Sequence, residues 1–160
     1  MEHLNHLRSV TIRSRSIKQT KSIGEKLGEV TEPGDLLLLI GDLGTGKTCL
    51  TQGIAIGLGI KSSVRSPTFI LVNEHYGRST LFHIDLYRIE NINEVEGMGL
   101  DEYVNSDGVC VVEWANKATS AFPKEHLRID LQHIGEKSRK LTFTAYGSRY
   151  TRIIEAISKD

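Results

Sequence analysis

The sequence predicts a three-layer α/β domain built on a mixed central sheet and ending in a C-terminal antiparallel hairpin. Three observations point there. The run Leu36-Leu37-Leu38-Leu39-Ile40 is short, uninterrupted and apolar, as a strand covered on both faces should be. It leads into a glycine-rich loop and then a helical pattern, the beginning of a strand–helix alternation. Late in the chain, Leu127 to Ile134 and Leu141 to Tyr146 read as extended segments around a turn containing Gly135.

The elements follow in order. Val10-Thr11-Ile12 alternates as a short strand. Ser16 to Gly28 carries Ile17, Ile23 and Leu27 near helical spacing, with Gly28 expected to stop the helix. Pro33-Gly34 marks a turn before the Leu36–Ile40 strand. The helix after the glycine-rich loop is expected to reach about Gly59, with Leu50, Ile54 and Leu58 on one stripe. Phe69 to Tyr76 and Leu81 to Tyr87 read as extended, and Asn91 to Val104 as two short helices. Val109-Cys110-Val111-Val112 reads as a second buried strand, and Ser148 to Ser158 as a closing helix.

The 160 residues suit one domain spanning 1–160. With 39% hydrophobic and 25% charged residues, the chain is too apolar for disorder. Its 20 Lys+Arg balance 20 Asp+Glu, which disfavours a dedicated nucleic-acid binder but leaves a nucleic-acid pathway open. Cys49 and Cys110 show no zinc spacing and read as buried free thiols in a reducing compartment. No apolar leader opens the chain, and no run approaches the ~20 residues of a membrane helix. The expectation is a cytoplasmic protein with no membrane partner.

Gly41-Asp42-Leu43-Gly44-Thr45-Gly46-Lys47-Thr48 matches G-x-x-x-x-G-K-[ST]. Glycines let the backbone wrap inward, so that N–H groups and a helix N-terminus face a phosphate. Lys47 would reach the β- and γ-phosphates, and the Thr48 hydroxyl would take one position on Mg²⁺. The fold class becomes a P-loop NTPase-like domain, and the ligand a nucleoside triphosphate.

Such a loop needs an acid at the end of a neighbouring strand to hold the metal. Glu113 closes the Val109–Val112 run and is placed on Mg²⁺. Asp85 closes Leu81-Phe82-His83-Ile84 and is placed near the γ-phosphate. The reverse assignment also fits the pattern. Asn116-Lys117-Ala118-Thr119 falls one residue short of the guanine-reading Asn-Lys-x-Asp. Threonine cannot supply the carboxylate, so ATP is preferred over GTP.

His83 and Asp85 share one strand face, but no third ligand lies at a recognisable spacing, so His83 reads as a hydrogen-bonded core or hinge histidine. Arg65 and Arg88 read as surface or ion-pair residues, with charge stabilisation at the γ-phosphate as the alternative. Arg8, Arg13, Arg15, Lys18 and Lys21 read as a solvated basic face. No nucleophile–histidine–acid spacing suggests covalent catalysis.

Several segments together resemble the TsaE (formerly YjeE) family of small bacterial P-loop ATPases. They are the loop 41–48, Ser66-Pro67-Thr68-Phe69, His83-Ile84-Asp85-Leu86-Tyr87-Arg88, Gly99-Leu100-Asp101-Glu102-Tyr103 and Glu113-Trp114. The resemblance implies a role in forming threonylcarbamoyladenosine at position 37 of tRNAs that read codons beginning with A. It implies partners too: a TsaD–TsaB heterodimer, with tRNA met through that complex, and ATP hydrolysis that allows repeated turnover without transferring the group.

Carried over by position, Gly44, Thr45, Gly46, Lys47, Thr48 and Cys49 would hold the phosphates, and Thr48 with Glu113 the Mg²⁺. Asp85 would be the acid essential for hydrolysis, so Lys47, Asp85 and Glu113 form the expected catalytic set. Ser66-Pro67-Thr68 would form a switch-like loop beside the γ-phosphate, and Trp114 would lie near the nucleotide. Arg139 would approach the nucleotide, and Ile17 to Thr20 the adenine. Cys49 departs from the family's frequent threonine. Two other functions fit the same loop: a small-molecule kinase, although no compact arginine-rich lid segment follows Glu113, and a non-hydrolysing nucleotide-dependent binding module.

Overall fold

The computed structural model describes residues 8–67 and 72–159. Seven strands form one sheet: β1 (Arg8–Ser14), β2 (Leu36–Ile40), β3 (Val72–Tyr76), β4 (Thr80–Asp85), β5 (Val109–Glu113), β6 (His126–His133) and β7 (Arg139–Tyr146). Their spatial order is β1-β7-β6-β2-β5-β4-β3. The pairs β6–β2, β2–β5 and β5–β4 are parallel, whereas β1–β7, β7–β6 and β3–β4 are antiparallel. The sheet is mixed and β6–β7 is the late hairpin, as the sequence predicts.

Alternation sorts the strand side chains into two cores. Leu37 and Leu39 of β2 join Val109 and Val111 of β5 beneath α1 (Ile17–Val30), α2 (Lys47–Gly57) and α5 (Ser148–Ile157). Leu36 and Leu38 join Cys110 and Val112 on the opposite face, beneath α3 (Ile92–Glu96), α4 (Leu100–Val104) and the 3₁₀ turns Ala115–Lys117 and Thr119–Ala121. Helices on both faces make three layers.

α1 starts at Ser16, whose hydroxyl accepts from Gln19 N at 3.1 Å, while Gln19 Oε1 accepts from Arg15 N at 2.6 Å. This resembles a capping box. Gly28 does not stop the helix, which runs on to Val30 and ends at Thr31. The reason lies in the neighbouring helix. An added Cβ on Gly24 would meet Leu50 O at 2.4 Å, and one on Gly28 would meet Ile54 O at 2.2 Å. From the other side, Cβ atoms on Gly53 and Gly57 would meet Lys21 O and Glu25 O, each at 2.2 Å. Four glycines, paired four apart on each helix, bring α1 and α2 into backbone contact.

Other differences are local. β1 is longer than the predicted Val10–Ile12, because its outward positions are polar and hide the strand period. β4 ends at Asp85 rather than Tyr87. Cys110 is buried as expected, but Cys49 is only half-buried. The expected extended start at Phe69 lies outside the described residues.

Candidate functional site

The parallel strands β2, β4 and β5 end at one edge of the sheet, where ligands of open α/β sheets bind. After β2 the chain turns through Gly44 at φ 78° and Gly46 at φ 103°, left-handed values that an L side chain rarely adopts. Gly46 is the N-cap of α2, so the loop delivers a helix N-terminus, with its partial positive charge, to the mouth of the site. A cavity of about 540 Å³ opens there. Its wall includes Ile17, Gly44, Gly46, Lys47, Thr48, Cys49, Asp85, Glu113 and Arg139.

Lys47 is buried, and its Nζ donates to Gly41 O at 2.6 Å and Asp42 O at 2.8 Å. The same ammonium stands over the Trp114 ring. Burial pulls it below its ordinary 10.5, against the raising influence of Glu113, Asp85 and Asp42. Thr48 Oγ1 donates to Glu113, at 3.0 Å from Oε1 and 3.2 Å from Oε2. Glu113 is 2% exposed, and its second partner is His83 through Nε2. β4 and β5 pair in register, so Asp85 lies beside Glu113. Asp85 accepts from Ser66 Oγ at 2.6 Å and from Tyr87 N at 2.9 Å.

Arg139 enters from β7: one guanidinium nitrogen donates to Gly44 O at 3.3 Å, and its Nε would lie 3.1 Å from a Cβ on Gly46. Cys49 donates its thiol to Ile17 O at 3.6 Å, and burial pushes that thiol up despite Lys21 and Arg139 nearby. Two expected residues do not reach the wall. Thr45 turns inward, its Oγ1 donating to Asp42 O at 2.8 Å. Thr20 is enclosed, with Oγ1 2.7 Å from Ser14 Oγ and 3.2 Å from Ser16 O. Both hydroxyls shape the backbone around the cavity.

Ser66 and Pro67 line the cavity; Thr68 and Phe69 lie outside the described residues. Arg88 also lines it, as do Leu43 and Tyr87 from the same motifs, Lys21 from the basic stretch, and Gln52, for which the sequence carried no signal. Tyr87 packs on Trp114 with ring centres 5.1 Å apart. Trp114 has φ 59°, the one non-glycine residue with positive φ among the described residues. Lys117, from the segment resembling a guanine reader, turns its Nζ to the carbonyl oxygens of Tyr87 and Ile89. Among the described residues, no three His, Cys, Asp or Glu side chains gather as a metal-binding cluster. The Thr48–Glu113 pair is a hard-oxygen donor set. It suits Mg²⁺, which takes few protein ligands and fills its shell with phosphates and water.

Among the described residues no helix is long and apolar enough to cross a membrane. A family model described as "Threonylcarbamoyl adenosine biosynthesis protein TsaE" matches residues 14–141. The chain is 45% identical over 143 residues to the tRNA threonylcarbamoyladenosine biosynthesis protein TsaE of Bacillus subtilis, covering 89% of each chain. It is 38% identical over 129 residues to the protein of the same name from Treponema pallidum, covering 81% of this chain and 96% of that one. The crystal structure of Bacillus subtilis YdiB superposes with a TM-score of 0.85 at 38% identity, covering 98% of this chain and 97% of that one. On these matches, over most of its length, this chain belongs to the TsaE family.

Proposed function

We propose that this protein binds and hydrolyses ATP with Mg²⁺ in the cytoplasm. In this reading it serves threonylcarbamoyladenosine formation at position 37 of tRNAs reading codons that begin with A. It acts on a TsaD–TsaB heterodimer and does not itself transfer the threonylcarbamoyl group; tRNA is met through that complex. One observation carries the reading. Lys47, Thr48, Asp85 and Glu113, from three separate elements, converge on one cavity at the N-terminus of α2.

The residues divide the work. The loop and the α2 N-terminus bind the phosphates, and Lys47 neutralises charge on the β- and γ-oxygens. Thr48 and Glu113 hold Mg²⁺, which supplies charge neutralisation on the phosphate oxygens. Asp85, fixed by Ser66 Oγ–H and Tyr87 N–H, orients water for attack on the γ-phosphorus. A new P–O bond forms as the bridging oxygen leaves with ADP, and the surplus proton passes to solvent. Ile17, Leu43 and Tyr87, exposed by 64%, 72% and 49% around the cavity mouth, give a protein partner apolar surface to cover.

The test is steady-state ATP hydrolysis with Mg²⁺, with and without purified TsaD–TsaB. The expected result is slow hydrolysis alone and stimulation of about 10-fold or more by the heterodimer. Asp85→Ala and Glu113→Ala should abolish turnover while nucleotide binding stays measurable. Phosphorylation of a metabolite well above water hydrolysis would replace this reading with the kinase. Heterodimer binding that requires ATP but not hydrolysis would replace it with the passive module.

A further inference from the structure

His83 lies two residues before Asp85 on β4, fully enclosed in the sheet interior. Its Nε2 meets Glu113 Oε2, and its Nδ1 has no hydrogen-bond partner among the described residues. Thus the ring spends its polar capacity on one carboxylate. Glu113 in turn is held from two directions. Thr48 Oγ1 donates from the cavity side, and His83 from within the sheet.

The cross-strand register explains why histidine can do this. His83 pairs with Val111 and Asp85 with Glu113 across parallel strands. The Glu113 side chain therefore reaches from the strand end back toward His83. That direction keeps the two acids of the site from competing for the same donors. Asp85 uses Ser66 and Tyr87 N–H, whereas Glu113 uses Thr48 and His83.

We propose that His83 is a positioning residue: its Nε2–H holds the Glu113 carboxylate in the orientation that lets Glu113 and Thr48 share a divalent cation. The inference rests on the proposed assignment of Thr48 and Glu113 to Mg²⁺. Residues that hold a metal ligand from behind fix its direction, and losing one weakens metal affinity about 10- to 100-fold. His83 is fully enclosed and does not line the cavity, so its effect is confined to the metal-dependent part of binding.

The test uses the full chain, a fluorescent ATP analogue and titrated Mg²⁺, comparing wild type with His83→Gln and His83→Asn. A glutamine amide nitrogen reaches the Nε2 position, whereas an asparagine nitrogen stops near Nδ1. His83→Gln should need Mg²⁺ within about threefold of wild type for half-maximal enhancement of binding, and His83→Asn about 10-fold more or beyond. Nucleotide affinity in EDTA should be the same in all three. Equal Mg²⁺ requirements in the two variants would overturn the proposal. So would a matching loss of affinity in EDTA, which would make His83 a residue of the fold. A wild-type protein that binds the nucleotide with no Mg²⁺ linkage would instead overturn the metal assignment of Thr48 and Glu113, and the proposal with it.

Discussion

Lys47 Nζ stands 4.1 Å from the centre of the Trp114 ring while donating to the carbonyl oxygens of Gly41 and Asp42. The ammonium that defines the phosphate loop is thus already engaged on several sides. A phosphate must compete with two carbonyls and with a cation–π contact that contributes about 1 kcal/mol.

That competition has an optical reporter, because Trp114 is the chain's one tryptophan. Its emission should change saturably as ATP is added. In Lys47→Met the starting emission should already differ from wild type, and ATP should move it little. Wild-type emission that stays fixed at saturating ATP would mean the ammonium keeps its place over the ring.

Ser66 fixes one oxygen of Asp85 at 2.6 Å. Hydrogen bonds to charged groups contribute about 1.5–3 kcal/mol, so Ser66→Ala should lower ATP turnover about 10- to 100-fold. Nucleotide affinity should change by less than about threefold, because Asp85 orients the attacking water in this reading. Turnover and equilibrium binding measured on one preparation decide between this and a general loss of the site.

Gly53→Ala should be destabilising, against the usual helix trend of about 1 kcal/mol gained. The new methyl would meet Lys21 O at 2.2 Å, and forced overpacking costs about 1–3 kcal/mol. Gly97→Ala is the control, since its nearest contact would be Glu94 O at 3.8 Å and its φ is −81°. Denaturant midpoints should fall for the first and stay within about 0.5 kcal/mol for the second.

Alkaline pH should weaken the fold through two buried acids. Burial pushes the Cys110 thiol from 9.0 up to about 12 and the Tyr150 phenol from 10.0 up to about 12. Above pH 9 the unfolded chain releases these protons first, so it binds fewer than the native state and stability falls as pH rises. By about pH 12 each group has removed on the order of 2–4 kcal/mol of stability. Cys110→Ala should flatten the decline between pH 9 and 11 in denaturant titrations. A slope equal to wild type would mean Cys110 contributes nothing to it.

The central strand, its loop and α2 were legible because three local signals agree there: an apolar run, glycines that need left-handed φ, and a helical stripe. Gly28 misled for a physical reason. A glycine that ends a helix and one that lets a second helix approach look alike until the partner glycine, Gly57, is seen across from it. The site residues on local motifs were legible in the same way. The placement of His83 against Glu113 was not, because it depends on the register of strands thirty residues apart. Nor was the route by which Arg139 reaches the phosphate loop, which depends on β7 lying two strands from β2. Thr20, which the family resemblance placed toward the adenine, turns its hydroxyl to Ser14 and Ser16, a contact that no local pattern announces.

The glycine contact between α1 and α2 makes Ile17 and Cys49 two marks on a single ruler, whose spacing is set by the backbone atoms meeting at Gly24, Gly28, Gly53 and Gly57. The graduations of that ruler are peptide units, which do not change when side chains do. A molecule reaching from the phosphate loop toward Ile17 is therefore gauged by backbone, and substitutions scattered over the rest of the surface leave the scale intact.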